Sequence, residues 1–142
     1  MEIQQSKTDS ANNLGRFIEV QDHITTTGKS VYDQAILDIQ NGYLSVHCWI
    51  RYLFPQLKGL GTSSVTKYFE LDGREEALAY INHPILGDRL IHATKTVLDN
   101  KYSIYEILKR PLSIQKFRAC MLLFSTISDN PVFKQALNKY RW

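Results

Sequence analysis

The side chains best suited to chemistry fall in three separated stretches. In the first, VHCWIRYLFPQLKGLG at residues 46–61, Trp49 and Tyr52 offer aromatic faces, Arg51 a guanidinium and Gln56 an amide, on a loop stiffened by Pro55, Gly59 and Gly61. In the second, His83 stands before Pro84 at a helix start, facing backbone N–H groups that no helical carbonyl answers. The third is Lys116, a cation on an otherwise apolar helix, where an unpaired buried charge is costly and calls for a partner or an anionic ligand. If one hollow holds all of these, Trp49 or Tyr52 stacks, Arg51 and Lys116 meet phosphate, and Gln56 and His83 fix orientation. That predicts a small anionic or nucleotide-like ligand. A plainer reading stands beside it: the aromatics are core, Gln56 and His83 cap helix ends, and Lys116 reaches past the core to solvent.

No phosphate-binding glycine loop, zinc-protease helix, nucleophile elbow or calcium loop is present, so no reaction, cofactor or metal follows from the sequence. Glu70, Asp72, Glu75 and Glu76 surround a turn and read as solvated charges at a helix start. His47 suits a ligand-facing or a surface position equally, and His23 and His92 read as solvent-exposed. Cys48 and Cys120 lie in apolar surroundings without metal-ligand spacing and read as unpaired core residues.

These groups must be carried by helices. Apolar residues at 46, 49, 50 and 53 predict a helix that Pro55 ends. Others are expected from Asn12 or Asn13 through Gln21, from Ser30 to Asn41-Gly42, through Lys67 to Phe69, and over 74–81. His83-Pro84 opens the longest, Ser103 and Glu106 form a capping box, Pro111 stops that helix, and Asn130-Pro131 opens the last. Residues 113–127 form a nearly all-round apolar rod, expected at the centre. The prediction is an all-α single domain over residues 12–142, an irregular array of eight or nine short helices, after a flexible N-terminus at 1–11.

Net charge is +3 but unevenly spread. Residues 1–100 carry nine cations against twelve acids, whereas 101–142 carry eight against two. Cations closing helices explain most of this, which weighs against nucleic acid as partner. No run nears the roughly 18 apolar residues of a membrane span, and the start lacks a secretion signal, so a cytoplasmic protein without a membrane is expected.

With these residues assembled, the chain resembles the all-helical bacterial family catalogued as domain of unknown function 1810, from about Leu14 to Tyr140. The resemblance rests on Phe54-Pro55-Gln56 with Gly59-Leu60-Gly61, on His83-Pro84 with Leu86-Gly87 and Arg89-Leu90, and on Phe17, Gln21, Tyr32, Ala35, Ala77, Tyr80, Lys116 and Leu123-Phe124. It implies the same all-α fold and no settled activity. Cys48 and Arg51 replace a usual histidine and tryptophan before the FPQ block, and Ser113 a usual aspartate, so any reaction of relatives is altered or lost here.

Two functions are therefore expected. One is ligand binding in a pocket of the FPQ–GLG loop, the His83 helix start and the helix bearing Lys116. The alternative is a protein-interaction module without catalysis, using the basic C-terminal third and an exposed aromatic end, Tyr140 to Trp142.

Overall fold

The computed structural model describes residues 13–42, 50–59, 64–140 and 142, without the side chains of 65 and 66. The expected flexible tail at 1–11, the first turn of the helix before Pro55, and Trp49 lie outside the described residues. Nine helices run through the rest: α1 Gly15–Asp22, α2 Val31–Asn41, α3 Ile50–Leu53, α4 Ser64–Tyr68, α5 Arg74–Asn82, α6 Leu86–Leu98, α7 Ile104–Leu108, α8 Pro111–Ile127 and α9 Val132–Lys139. Two isolated bridges, Ile24 with Ser30 and Leu57 with Leu71, are the β pairing among the described residues. The fold is all-α.

Most helix ends follow from local chemistry. Ser30 Oγ accepts the Asp33 N–H at 3.0 Å to open α2, and Gly42 closes it at φ 72°. A Cβ on Gly42 would run into the Tyr102 ring at 2.6 Å, so glycine is required twice over. Ser103 and Glu106 complete the capping box of α7, each accepting the other's backbone N–H. Pro111 does more than stop that helix; it becomes the first residue of α8. The longest-but-one helix, α6, starts at Leu86 rather than at Pro84, because His83 Nδ1 accepts the N–H groups of Ile85 and Leu86 at 3.1 and 3.2 Å.

One apolar core joins the helices. Helix α6 packs against α2, α3, α5 and α9, while α8 packs against α3, α5, α7 and α9. Rings link them: Phe17 meets Tyr80 edge-on at 5.0 Å, Phe54 meets Phe117 at 4.8 Å, and Phe124 lies between Tyr80 and Phe133. Each buried ring contributes about 1.5–3 kcal/mol through lost water contact, and such pairings add about 0.5–1.5 kcal/mol.

Two sequence expectations need correcting. Helix α8 is not enclosed all round: Ile114, Phe117, Cys120, Met121 and Phe124 take the core side, but Leu112 and Leu122 are 58% and 44% exposed. It carries more apolar side chains than its core side takes up. The C-terminal aromatics, expected to project, are half-buried. Tyr140 donates its hydroxyl to the Val97 carbonyl at 3.0 Å, and Trp142 stacks near Phe117 and donates Nε1–H to the Leu137 carbonyl.

Burial pushes the Tyr32 and Tyr140 phenols up to about 12, Arg89 partly opposing the effect at Tyr32, and pushes Tyr80 higher still. In the unfolded chain these phenols ionise near the ordinary value of 10. The stability linked to keeping them neutral is therefore present below about pH 10 and lost as pH climbs from there toward 12. Urea midpoints should hold between about pH 8 and 10 and fall beyond, less steeply in Tyr140→Phe; a midpoint flat to about pH 12 would contradict this.

Candidate functional site

The FPQ loop is held from beneath by a buried ion pair that the sequence reading missed. Arg16, on the first turn of α1, is 4% exposed and Glu76, on the first turn of α5, 1% exposed. The two form a bidentate pair at 3.0 and 3.1 Å. The remaining Arg16 donors reach the carbonyls of Asn13, Tyr68 and Glu70 at 2.8, 2.8 and 2.9 Å. This fork geometry satisfies every guanidinium N–H, which a buried arginine needs. Glu76 also accepts the Asp72 N–H at 2.7 Å, and Glu70 Oε1 accepts the Gly59 N–H at 3.2 Å. Backbone bonds between Leu71 and Gln56 and between Lys58 and Leu71 complete the seam. Two of the four acids expected in solvent are thus interior, since α1 is folded against the α5 start; Asp72 and Glu75 remain exposed. Asn13, fully enclosed beside Arg16, leaves both side-chain polar atoms without partners among the described residues.

A second polar chain runs behind α3. Gln21 donates to the Tyr52 carbonyl and the Tyr80 hydroxyl, and Arg89 donates to Gln21 and Asp22 while its guanidinium lies 5.0 Å from the Tyr32 ring centre. Gln21, Tyr32, Tyr80 and Arg89, residues that carried the family resemblance, are here one bracing network.

The six residues expected to share a pocket are placed as follows. Trp49 lies outside the described residues. Arg51 is half-buried near the Tyr52 ring, with a buried Nε that has no hydrogen-bond partner among the described residues. Tyr52 packs edge-on against Phe69 at 5.0 Å and lines a hollow of about 290 Å³ with Val20, His23, Ile24 and Val31. Gln56 is buried, its carbonyl taken by Leu71. His83 caps α6, and Lys116 is half-buried on the flank of α8. Of the five that are described, Tyr52 alone borders any of the four hollows. His23 and His92 are exposed and Cys120 is a buried free thiol, as expected, while His47 and Cys48 lie outside the described residues. Among the described residues no group of three His, Cys, Asp or Glu could hold a metal.

Two hollows border α8. Leu57, Ala119, Leu122, Leu123 and Thr126 line an open apolar groove of about 360 Å³. Thr126 also borders a polar hollow of about 500 Å³, where Arg74 at the start of α5 and Lys134 in the first turn of α9 face Ser125, Ser128 and Asp129. Helical spacing puts Leu112, Ala119, Leu122 and Thr126 opposite the core, with Arg118 on one flank and Lys116 on the other. The sequence carried this signal: the rod has more apolar residues than one core-facing stripe can use.

The family model described as "Protein of unknown function (DUF1810)" matches residues 11–141. The chain is similar to the crystal structure of a conserved hypothetical protein from Mycobacterium tuberculosis, with 34% identity and a TM-score of 0.79 over 90% of this chain and 86% of that one. No curated protein matches. Among the described residues no helix is long and apolar enough to cross a membrane.

Proposed function

Because the chain belongs to the family described as protein of unknown function (DUF1810), a description that names no reaction, we propose from its own surface that it is a cytoplasmic protein-interaction module that docks a partner on the outward face of α8. The observation that supports this most is the exposure of Leu112 and Leu122 on a helix whose core side is already filled. Apolar side chains left in water on the outward face of one helix, the second of them lining a groove with Leu57, Ala119 and Leu123, form the kind of patch that interaction surfaces use. The basic C-terminal third supplies the helix and its cationic flanks, and the tucked Tyr140–Trp142 end is left out of the docking face.

A photo-crosslinking residue at Leu122 should capture a partner in cells, one at the exposed Lys95 should not, and Leu112→Lys should abolish capture from Leu122. Equal capture from both positions, or none from Leu122, would remove the reading.

A second reading keeps the small anionic ligand, and Arg51 is what favours it. Among the described residues its buried Nε–H meets no acceptor, and a guanidinium N–H so placed costs about 1–3 kcal/mol, which an anion or phosphate placed there would recover. In thermal-shift titrations with a nucleotide panel, a stabilised wild type and an unshifted Arg51→Ala variant are expected. No shift in the wild type, or equal shifts in both, would exclude it.

A further inference from the structure

The groove and the polar hollow on α8 share Thr126 in their linings, and their chemistries differ. One is apolar, over Leu57, Ala119 and Leu122. The other carries Arg74 and Lys134, both exposed, and among the described residues neither is paired with an acid. Asp129 is the one acid in that lining, so cations lead there two to one. Helix α8 adds Lys116 and Arg118 and has no acidic residue at all.

From this charge complementarity we infer that the occupant is an acidic amphipathic segment of a protein partner, an inference that rests on the docking reading above. Its apolar side chains cover Ala119, Leu122 and Leu123, a flanking carboxylate lies along Arg118, and a carboxylate at its end enters the hollow between Arg74 and Lys134. The distance fits: Leu112 to Thr126 along α8 is about 21 Å, which a partner helix of roughly 15 residues spans. A neutral apolar segment would leave Arg74 and Lys134 with Asp129 as the one acid in their hollow, and a basic one would be repelled; like charges facing each other suppress wrong partners. A small anion alone would use the hollow and ignore the groove.

Two designed helical peptides of roughly 15 residues decide it, read by fluorescence anisotropy against the full chain. They share one leucine face at helical spacing; one carries glutamates on its flanks and C-terminal end, the other glutamines. The glutamate peptide should bind at least about tenfold more tightly at low salt, the gap closing near 1 M salt as the charges are screened. Arg74→Gln with Lys134→Gln should reduce that gap severalfold and leave the glutamine peptide unchanged. Equal binding of both peptides would overturn the acidic occupant and keep the docking face. Binding of neither would overturn both. A gap that persists in high salt, or in the double variant, would place the selectivity elsewhere and overturn the assignment of Arg74 and Lys134. The peptide comparison uses the wild-type chain, so it holds even where a variant misfolds.

Discussion

Replacing Arg16 with methionine is expected to remove about 3–5 kcal/mol of folding stability, a large share of the roughly 5–15 kcal/mol a domain possesses. Methionine fills similar space, so the loss is electrical. Glu76 would stay at 1% exposure with its counter-ion gone, and the carbonyls of Asn13, Tyr68 and Glu70 would lose their donors together. Lysine should restore only part, because one ammonium cannot reproduce five donors held in a plane. Glu76→Gln should cost less, about 1–3 kcal/mol, since an amide oxygen can still accept from Arg16 and from the Asp72 N–H. Pairing Arg16→Met with Glu76→Met should recover part of the loss, as no lone charge then remains inside. The damage should extend to the FPQ loop, whose Gly59 amide is held by Glu70 and whose Gln56 carbonyl is held by Leu71. Urea unfolding gives the energy, and hydrogen exchange at the Lys58 and Leu71 amides gives the reach. An Arg16→Met chain within about 1 kcal/mol of wild type would refute the central role of the pair.

That pair shows where sequence reading stops. Caps could be read because their chemistry is local: Ser30 and Asp33 are three residues apart, as are Ser103 and Glu106. So could the apolar stripes and the all-α class they imply. Arg16 and Glu76 are 60 positions apart, and Gln21 and Arg89 are 68. Nothing in the neighbourhood of Glu76 distinguishes it from a solvated first-turn acid until α1 is laid across α5. The candidate pocket met the same limit. Helical spacing places Lys116 on a face of its helix, but whether that face meets Arg51 depends on packing angles that periodicity does not carry. The family resemblance identified positions without saying what they do. His83 serves the backbone of α6, Gln21 and Arg89 brace Tyr52 and Tyr80, and Gln56 lends its carbonyl to a bridge. Excess apolar surface on α8, by contrast, was legible and was assigned to the core. A helix apolar on both sides is either enclosed or partnered, and sequence alone does not separate the two.

Gly87→Ala should be the second severe lesion, and for a reason unrelated to helix propensity. Gly87 is the second residue of α6, where alanine ordinarily favours a helix over glycine. Here α5 turns back into α6 so tightly that an added Cβ would overlap the Ile81 carbonyl oxygen and lie 2.9 Å from its carbonyl carbon. Backbone cannot swing aside as the tip of a flexible side chain can. The turn is also fixed between the two helices, by His83 Nδ1 accepting from Ile85 and Leu86 and by the Gly87 N–H donating to the His83 carbonyl at 2.9 Å. Relief must come from moving α5 against α6, which drags Tyr80 and its contacts with Phe17 and Phe124. Overpacking of this kind costs about 3 kcal/mol, the upper part of its usual range, and in a chain of this length lowers Tm by roughly 10 °C. Gly15→Ala is the matched control. It too opens a helix, but among the described residues nothing lies within 4 Å of its added Cβ, so stability should rise by roughly 0.4–1 kcal/mol. Opposite signs for the two alanines in one thermal scan are the expected result. If both stabilise, the close approach of α5 and α6 is wrong, and with it the account of why glycine follows Leu86.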